Sequence, residues 1–218
     1  MIASQPEANA ATLVRRHPER GRYDRQTIDA ILDEGLICHL GIVSKGRPWV
    51  LPTMYARRGD QVYIHGSPGA RMLRTAAASA QVCLTVSLLD GLVLARSAFN
   101  HSMNYRSVMV SGRARRVTTV EEKMVAFRAL VDQVLPGRWG EARIPSLKEL
   151  RATTVLALDL AQASAKVRTG PPLDAATDIG LPVWAGVIPL GLRAEEPIAA
   201  PDLAGDPTPP GYARDYRR

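Results

Sequence analysis

The spacing of apolar positions changes several times along this chain, and each change marks an element. After Asp24, the residues Ile28, Ile31 and Leu32 recur at helical spacing and the run stops at Gly35. That pattern predicts a short amphipathic helix opened by an aspartate cap. From residue 37 the rhythm becomes that of strands: 37–44, a turn at Lys45-Gly46-Arg47-Pro48, 49–57, a turn at Gly59-Asp60, then 61–65. Two short turns in series predict a three-stranded antiparallel meander. Gly66-Ser67-Pro68-Gly69 breaks the last strand and leads into an alanine-rich, helix-prone stretch at 70–79. Strands are expected at 81–89 and 92–96 about a hairpin turn at Asp90-Gly91, and at 105–117 after an irregular link. Thr119 and Glu122 have the spacing of a capping box, which opens a helix running to Val134. A Pro- and Gly-rich loop at 136–145, a short helix near 147–150, and strands at 155–167 and 181–192 complete the pattern.

Many strands, short turns and few helices predict a mainly β fold, an antiparallel β-barrel carrying peripheral helices. The barrel domain is expected over 23–196, between an N-terminal arm at 1–22 and a flexible tail at 197–218 that is rich in Pro, Asp and Gly. Neither a Rossmann glycine fingerprint nor a P-loop occurs. A chain of 218 residues can bury its core without disulfides or a structural metal. Cys38 and Cys83 each sit in an apolar run, away from any zinc-ligand spacing; they read as small buried hydrophobes, and no metal is expected.

Charge narrows the choice of ligand. The net formal charge is +7, and most of the positive charge is arginine. The arginines are scattered, and phenylalanine occurs only at 99 and 127, so the dense basic helix and stacking platforms of a nucleic-acid binder are missing. A phosphorylated small molecule explains the arginines more economically. No eighteen-residue apolar run and no secretory leader pattern appear, so a cytoplasmic protein without membrane spans is expected.

The stretch from Tyr63 to Arg74 carries the clearest chemistry: a strand enters a glycine-containing turn and then a helix. First-turn amides of a helix lack internal partners and attract anions, and Arg71 adds a planar donor there. Local physics leaves two readings open, a phosphate site or an ordinary corner with a solvated arginine. No Ser-His-Asp or Cys-His set is arranged for nucleophilic catalysis.

Taken in order, Trp49 to Tyr55, the turn at Gly59-Asp60, Val62 to Arg71, and Tyr105 to Ala114 resemble the flavin-mononucleotide (FMN)-binding split β-barrels of the pyridoxamine 5′-phosphate oxidase family. The likeness is greatest to the branch that includes nitroimidazole-resistance proteins, and it spans Arg16 to Leu192. It implies a homodimer holding FMN near the subunit interface. Arg71 and the His65-Gly66 turn would hold the phosphate, and Leu51, Pro52, Thr53 and Met54 would run along the isoalloxazine ring. Ser107 would reach the pyrimidine end, Lys166 would lie near the cofactor with Arg168, and Trp184 would close over it from the second subunit. The implied activity is an oxidoreductase moving a hydride or two electrons to an unknown small, nitro- or aromatic substrate. Met54 departs from the family pattern, since the vitamin B6 oxidases carry a basic residue there; oxidation of pyridoxamine phosphate itself is not expected. A second reading stays open, a non-catalytic flavin reservoir or sensor, or a haem holder with His39, His65 or His101 as axial ligand.

Overall fold

A computed structural model describes residues 12–205 and 208–217. The meander forms as the spacing predicts. Strand β1 (Gly21–Arg22) precedes helix α1 (Arg25–Glu34), whose amides are capped where the Asp24 carboxylate accepts from Thr27 N at 2.8 Å. Strands β2 (Ile37–Ser44) and β3 (Arg47–Arg58) pair from Ile37↔Met54 to Ser44↔Arg47. Lys45 and Gly46, at φ 51° and 72°, supply the left-handed turn that matches strand twist. Strand β4 (Gln61–Gly66) returns, and α2 (Arg71–Ala78) follows.

The ladder order is β1-β9-β6-β5-β2-β3-β4-β8-β7, all antiparallel, with a tenth strand, β10 (Gly186–Pro189), added to β5. The remaining elements are β5 (Val82–Leu94), β6 (Ser102–Gly112), β7 (Arg115–Arg116), α3 (Val120–Val134), α4 (Leu147–Arg151), β8 (Thr154–Asp159), β9 (Ala163–Arg168) and α5 (Gly211–Arg214). The path starts at β1 and ends at β7 without closing, so the architecture is a split barrel. Strand β3 is its hinge. Residues 47–54 pair with β2, and residues 55–58 pair with β4.

One core fills the curl of the sheet with Leu40, Val62, Leu84, Val86, Val108 and Leu156. Ile28, Ile31 and Leu32 of α1 plug it from one side, and Leu73 and Ala76 of α2 pack onto it. A second, smaller core joins Tyr63, Val155 and Ala157 to Ala126 and Phe127 of α3. Gln133 ties the two helices together. Its side-chain nitrogen lies 2.7–3.0 Å from the carbonyls of Leu32, Asp33 and Gly35, the orphan acceptors at the end of α1.

Four expected elements differ. The strand expected at 105–117 starts at Ser102 and is split into β6 and β7, the latter pairing with β8. Residues 81–96 do not form a hairpin about Asp90-Gly91; β5 runs straight through with a register shift there. The cause is tertiary: the Asp90 carboxylate accepts from Arg106, its carbonyl accepts from Leu190 N, and β10 lies so close that a Cβ on Gly91 would sit 3.0 Å from Ile188 O. The run 155–167 splits into β8 and β9, because Asp159 turns its side chain onto Ala161 N and starts a 3-10 turn. Of 181–192, only Gly186–Pro189 pairs as a strand.

The terminal segments also have structure. In the arm, residues 1–11 lie outside the described residues, while Gly21 and Arg22 pair with Lys166 and Ala165 of β9. In the tail, α5 brings the Tyr212 hydroxyl onto Glu141 and within 3.2 Å of Arg138.

Candidate functional site

The outward face of the sheet is legible from its register. Directly paired residues point to the same side, so His39 shares a row with Pro52, Thr85 and Met109. The next rows hold Met54 with Ile37, and Ser87 with Ser107 and Lys166. The Ser107 hydroxyl donates to Lys166 O at 3.3 Å. The structure therefore brings Pro52, Met54, Ser107 and Lys166 onto one face. Leu51 and Thr53 alternate to the other side of β3, paired with Leu40 and Cys38 and half-buried, so on the outward face they offer backbone groups alone.

At one edge of this face stands the β4–α2 corner. Ala70 caps α2 without a side-chain hydrogen bond, which leaves the first-turn amides free of any such partner. Arg71 is exposed, and its guanidinium carbon lies 4.7 Å from the centroid of the Trp49 ring. Beside it runs an open groove of about 720 Å³ between the β2–β3 hairpin and α2, lined by Lys45, Arg71 and Arg74 with Val43, Thr75 and Gln81. No carboxylate lines the groove, and among the described residues none of these three cations forms a salt bridge. Several other arginines are paired: Arg57 meets Asp29 and Asp33, Arg106 meets Glu34 and Asp90, and Arg115 meets Glu122, while among the described residues Arg47, Arg58, Arg113 and Arg116 form no salt bridge either. Lys45, Arg71 and Arg74 thus bring three positive charges to one groove that no carboxylate lines, and such a concentration of one sign attracts anions.

His65 does not join that corner. Alternation along β4 sends Ile64 toward the α2 side and His65 toward α3, where its ring lies 5.8 Å from that of Phe127. Burial holds its pKa below the usual imidazole range, and Nδ1 is buried without a hydrogen-bond partner. The contribution of the His65-Gly66 turn to the groove is the turn itself: Gly66 has no Cβ to collide with Leu73, which would lie 3.0 Å from one. Trp184 stands just before β10, at the end of β5 far from Arg71, with its indole folded against Gly186. His39 is exposed on the outward face, and His101 is exposed with Nδ1 3.0 Å from Ser97 O. Arg168 is almost fully buried, held by Asn104, Gly170 O and Pro171 O. Among the described residues no cluster of His, Cys, Asp and Glu could hold a metal ion, and no helix is long and apolar enough to cross a membrane.

Comparison with known proteins decides the family. A family model described as pyridoxamine 5′-phosphate oxidase matches residues 24–167. The chain belongs to this family. Among solved structures, this family member is similar to the flavocytochrome Anf3 from Azotobacter vinelandii, at 43% identity over 96% of this chain and 98% of that one, with a TM-score of 0.90. It is similar also to the FAD and haem binding protein from Mycobacterium smegmatis, at 36% identity over 90% and 96% of the two chains, with a TM-score of 0.85. A candidate 5-nitroimidazole antibiotic resistance protein from Bacteroides thetaiotaomicron follows at 25% identity over 67% and 86%, with a TM-score of 0.56. No curated protein sequence matches the chain.

Lys45 and Arg74 escaped the sequence reading. The spacing of Arg71 and Arg74 by three residues puts both on one face of α2. Lys45 joins them only through the tertiary placement of the hairpin tip, which no local pattern announces.

Proposed function

We propose that this chain is a flavin-binding redox protein that acts as a homodimer on a small substrate, with its nucleotide phosphates in the Lys45–Arg71–Arg74 groove. The carrying observation is that groove: three cations, no carboxylate, and a helix start without a side-chain cap. Guanidinium forks and uncapped amides suit phosphate oxygens. The family resemblance implies FMN. The two relatives above 30% identity are named for FAD or as a flavocytochrome, so FAD is the nucleotide this reading favours. The isoalloxazine ring would lie on the outward face near Pro52 and Met54, with the Ser107 hydroxyl and Lys166 at its polar end.

Bound flavin supplies one- and two-electron transfer. This chain's residues bind and orient it. Met54 offers no charge for a substrate phosphate, which speaks against pyridoxamine phosphate as substrate; a neutral aromatic or nitro compound suits the face better.

Haem is the second group this reading includes, because of His65. An iron ligand must be a neutral imidazole. The sheltered ring of His65 favours that form, and its unpartnered Nδ1 marks a polar atom that the protein alone leaves unsatisfied. His101 already has Nδ1 at Ser97 O, and His39 lies in the open face.

The dimer rests on a continuous apolar row across three strands. Ile188, Leu92 and Met103 are in register and 45%, 39% and 51% exposed. A second copy covering this row, with Trp184 beside it, would remove an apolar stripe that a monomer leaves in water.

The test is the absorption spectrum of protein purified from haem-supplemented cells, with the released flavin identified by chromatography. FAD with a Soret band is the expected result, and His65→Ala should lose the Soret band while keeping the flavin. A protein that neither carries nor takes up flavin refutes the proposal. Released FMN in place of FAD refutes the nucleotide assignment, and a monomer by sedimentation at micromolar concentration refutes the dimer.

A further inference from the structure

Between Gly35 and Val120 the chain carries eleven lysines and arginines but only two carboxylates, Asp60 and Asp90. Both are already engaged, with Arg25 and Arg106. Six of the eleven cations, all exposed, stand at one end of the sheet and form no salt bridge among the described residues. The β2–β3 tip, the start of β5 and the end of β6 meet there. Lys45 and Arg47 hold the tip, and Arg71 and Arg74 face it from α2. Gly112 pairs with Val82, so Arg113 leaves β6 beside Gln81 of the groove wall. Arg116 pairs with Leu156 of β8, the strand against which α2 packs. Phosphates in the groove would engage Lys45, Arg71 and Arg74, and would leave Arg47, Arg113 and Arg116 as a basic rim.

We infer that this rim is the docking surface for an acidic electron-carrier protein, the donor that reduces the bound flavin. The inference rests on the flavin reading above and names its partner. Three observations select a protein of this kind. A flavin needs an electron source, and the chain has no Rossmann fingerprint for a nicotinamide nucleotide. Cations of one sign without counter-charges steer an oppositely charged protein into place. The rim also adjoins the ledge: Pro52 lies about 13 Å along β3 from Pro48, at about 3.3 Å per residue. Each carrier gives up one electron and leaves oxidised, so two encounters and one proton from water bring bound flavin to its anionic reduced form.

Other polyanions suit the rim less well. Helix α2 shows Arg71, Arg74 and Ala78 to water, with no bulky apolar side chain to enter a lipid surface. Arg71 covers the Trp49 ring, which removes the one aromatic face on which a nucleic-acid base could stack here.

The experiment uses the 218-residue chain, with and without FAD, against the acidic carriers ferredoxin and flavodoxin and the basic cytochrome c. Calorimetry measures association, and anaerobic stopped flow measures reduction of the flavin. At least one acidic carrier should bind whether or not flavin is present, more than tenfold more weakly at about 300 mM than at about 50 mM salt, and cytochrome c should not bind. The triple variant Arg47→Gln, Arg113→Gln, Arg116→Gln should weaken that association and slow reduction by the carrier at least tenfold. Its FAD affinity and its reduction by dithionite should stay within twofold of wild type, which shows that the fold and the flavin site are intact.

Acidic carriers that do not bind, or that bind without regard to salt or to the three arginines, overturn the inference. A carrier that binds and leaves the flavin oxidised overturns it too. Tighter binding of phosphatidylserine vesicles or duplex DNA in the same buffer would give the rim to a membrane or a nucleic acid instead. If the chain takes up no flavin, the flavin reading fails, and the fluorescence titration reports that separately from carrier association.

Discussion

Arg71→Ala is the sharpest test of the basic groove. The guanidinium is exposed, forms no salt bridge among the described residues, and rests 4.7 Å above Trp49. Its removal should leave the fold almost untouched: alanine suits an exposed position in α2 at least as well as arginine, and such surface changes stay within about 0.5 kcal/mol. Binding is another matter. A hydrogen bond to a charged partner contributes about 1.5–3 kcal/mol, and the open, solvated groove argues for the lower part of that range. A loss of about 1.5–2.5 kcal/mol is roughly a ten- to sixtyfold rise in Kd. Arg71→Lys keeps the charge and loses the planar fork, so it should fall between wild type and alanine. Quenching of flavin fluorescence, titrated at several salt concentrations, measures both the affinity and its electrostatic part; the alanine variant should show a shallower salt dependence. A change under about twofold with an unaltered salt slope would mean that the phosphates do not sit at this corner.

Other perturbations probe the scaffold. Gln133→Leu removes a nitrogen shared by three carbonyls at the end of α1, and should cost about 2–4 kcal/mol in a urea melt; a loss below about 1 kcal/mol would show that water replaces the amide. Gly91→Val would press a side chain into β10, since a Cβ alone would lie 3.0 Å from Ile188 O. It should release β10 and weaken the proposed dimer, and an unchanged sedimentation profile would dissociate β10 from assembly. His65 sets a pH dependence. Its folded pKa lies below the ordinary value near 6.5, so the unfolded chain binds the proton more readily and stability falls as pH drops below that value. His65→Leu should flatten the difference between urea midpoints at pH 7.5 and 5.5, and equal slopes in both proteins would show that the ring does not carry it.

The sequence disclosed elements whose signals are local. Asp24 capping α1 and the Lys45-Gly46 turn act within four residues and form as their patterns predict; Thr119 caps α3 by accepting from Glu122 N, but the box stays half made because the Glu122 carboxylate meets Arg115 and Tyr63. The misread segments are those in which a distant partner overrules a local cue. Asp90-Gly91 has the composition of a hairpin turn, yet Arg106 and Leu190 hold Asp90 within a straight strand. The site divides in the same way. Arg71 was visible because a turn and a helix start are local features, and Arg74 follows from helical spacing. Lys45 joins them only once β2 and β3 are in register. His65 looked like part of the phosphate turn because it is adjacent in sequence, and strand alternation carries its ring to the other side.

The location of the groove follows from the double membership of β3. Beyond Met54 the strand enters the second half of the sheet, and Tyr55 and Ala56 are buried, with the Tyr55 hydroxyl donating to Leu32 O at 2.6 Å. Before Met54 it keeps one face open, from Pro48 and Val50 to Pro52. The first half therefore offers a ledge open to a planar ligand. The uncapped start of α2 and its two arginines are placed beside that half because β4, the strand that precedes α2, pairs with the second half and ends at its boundary, Tyr55↔Ile64. Splitting one strand between two sheet segments thus creates both the exposed ledge and the charge at its edge. A substitution that shifts the β3–β4 register should abolish flavin binding even though it touches no residue of the groove.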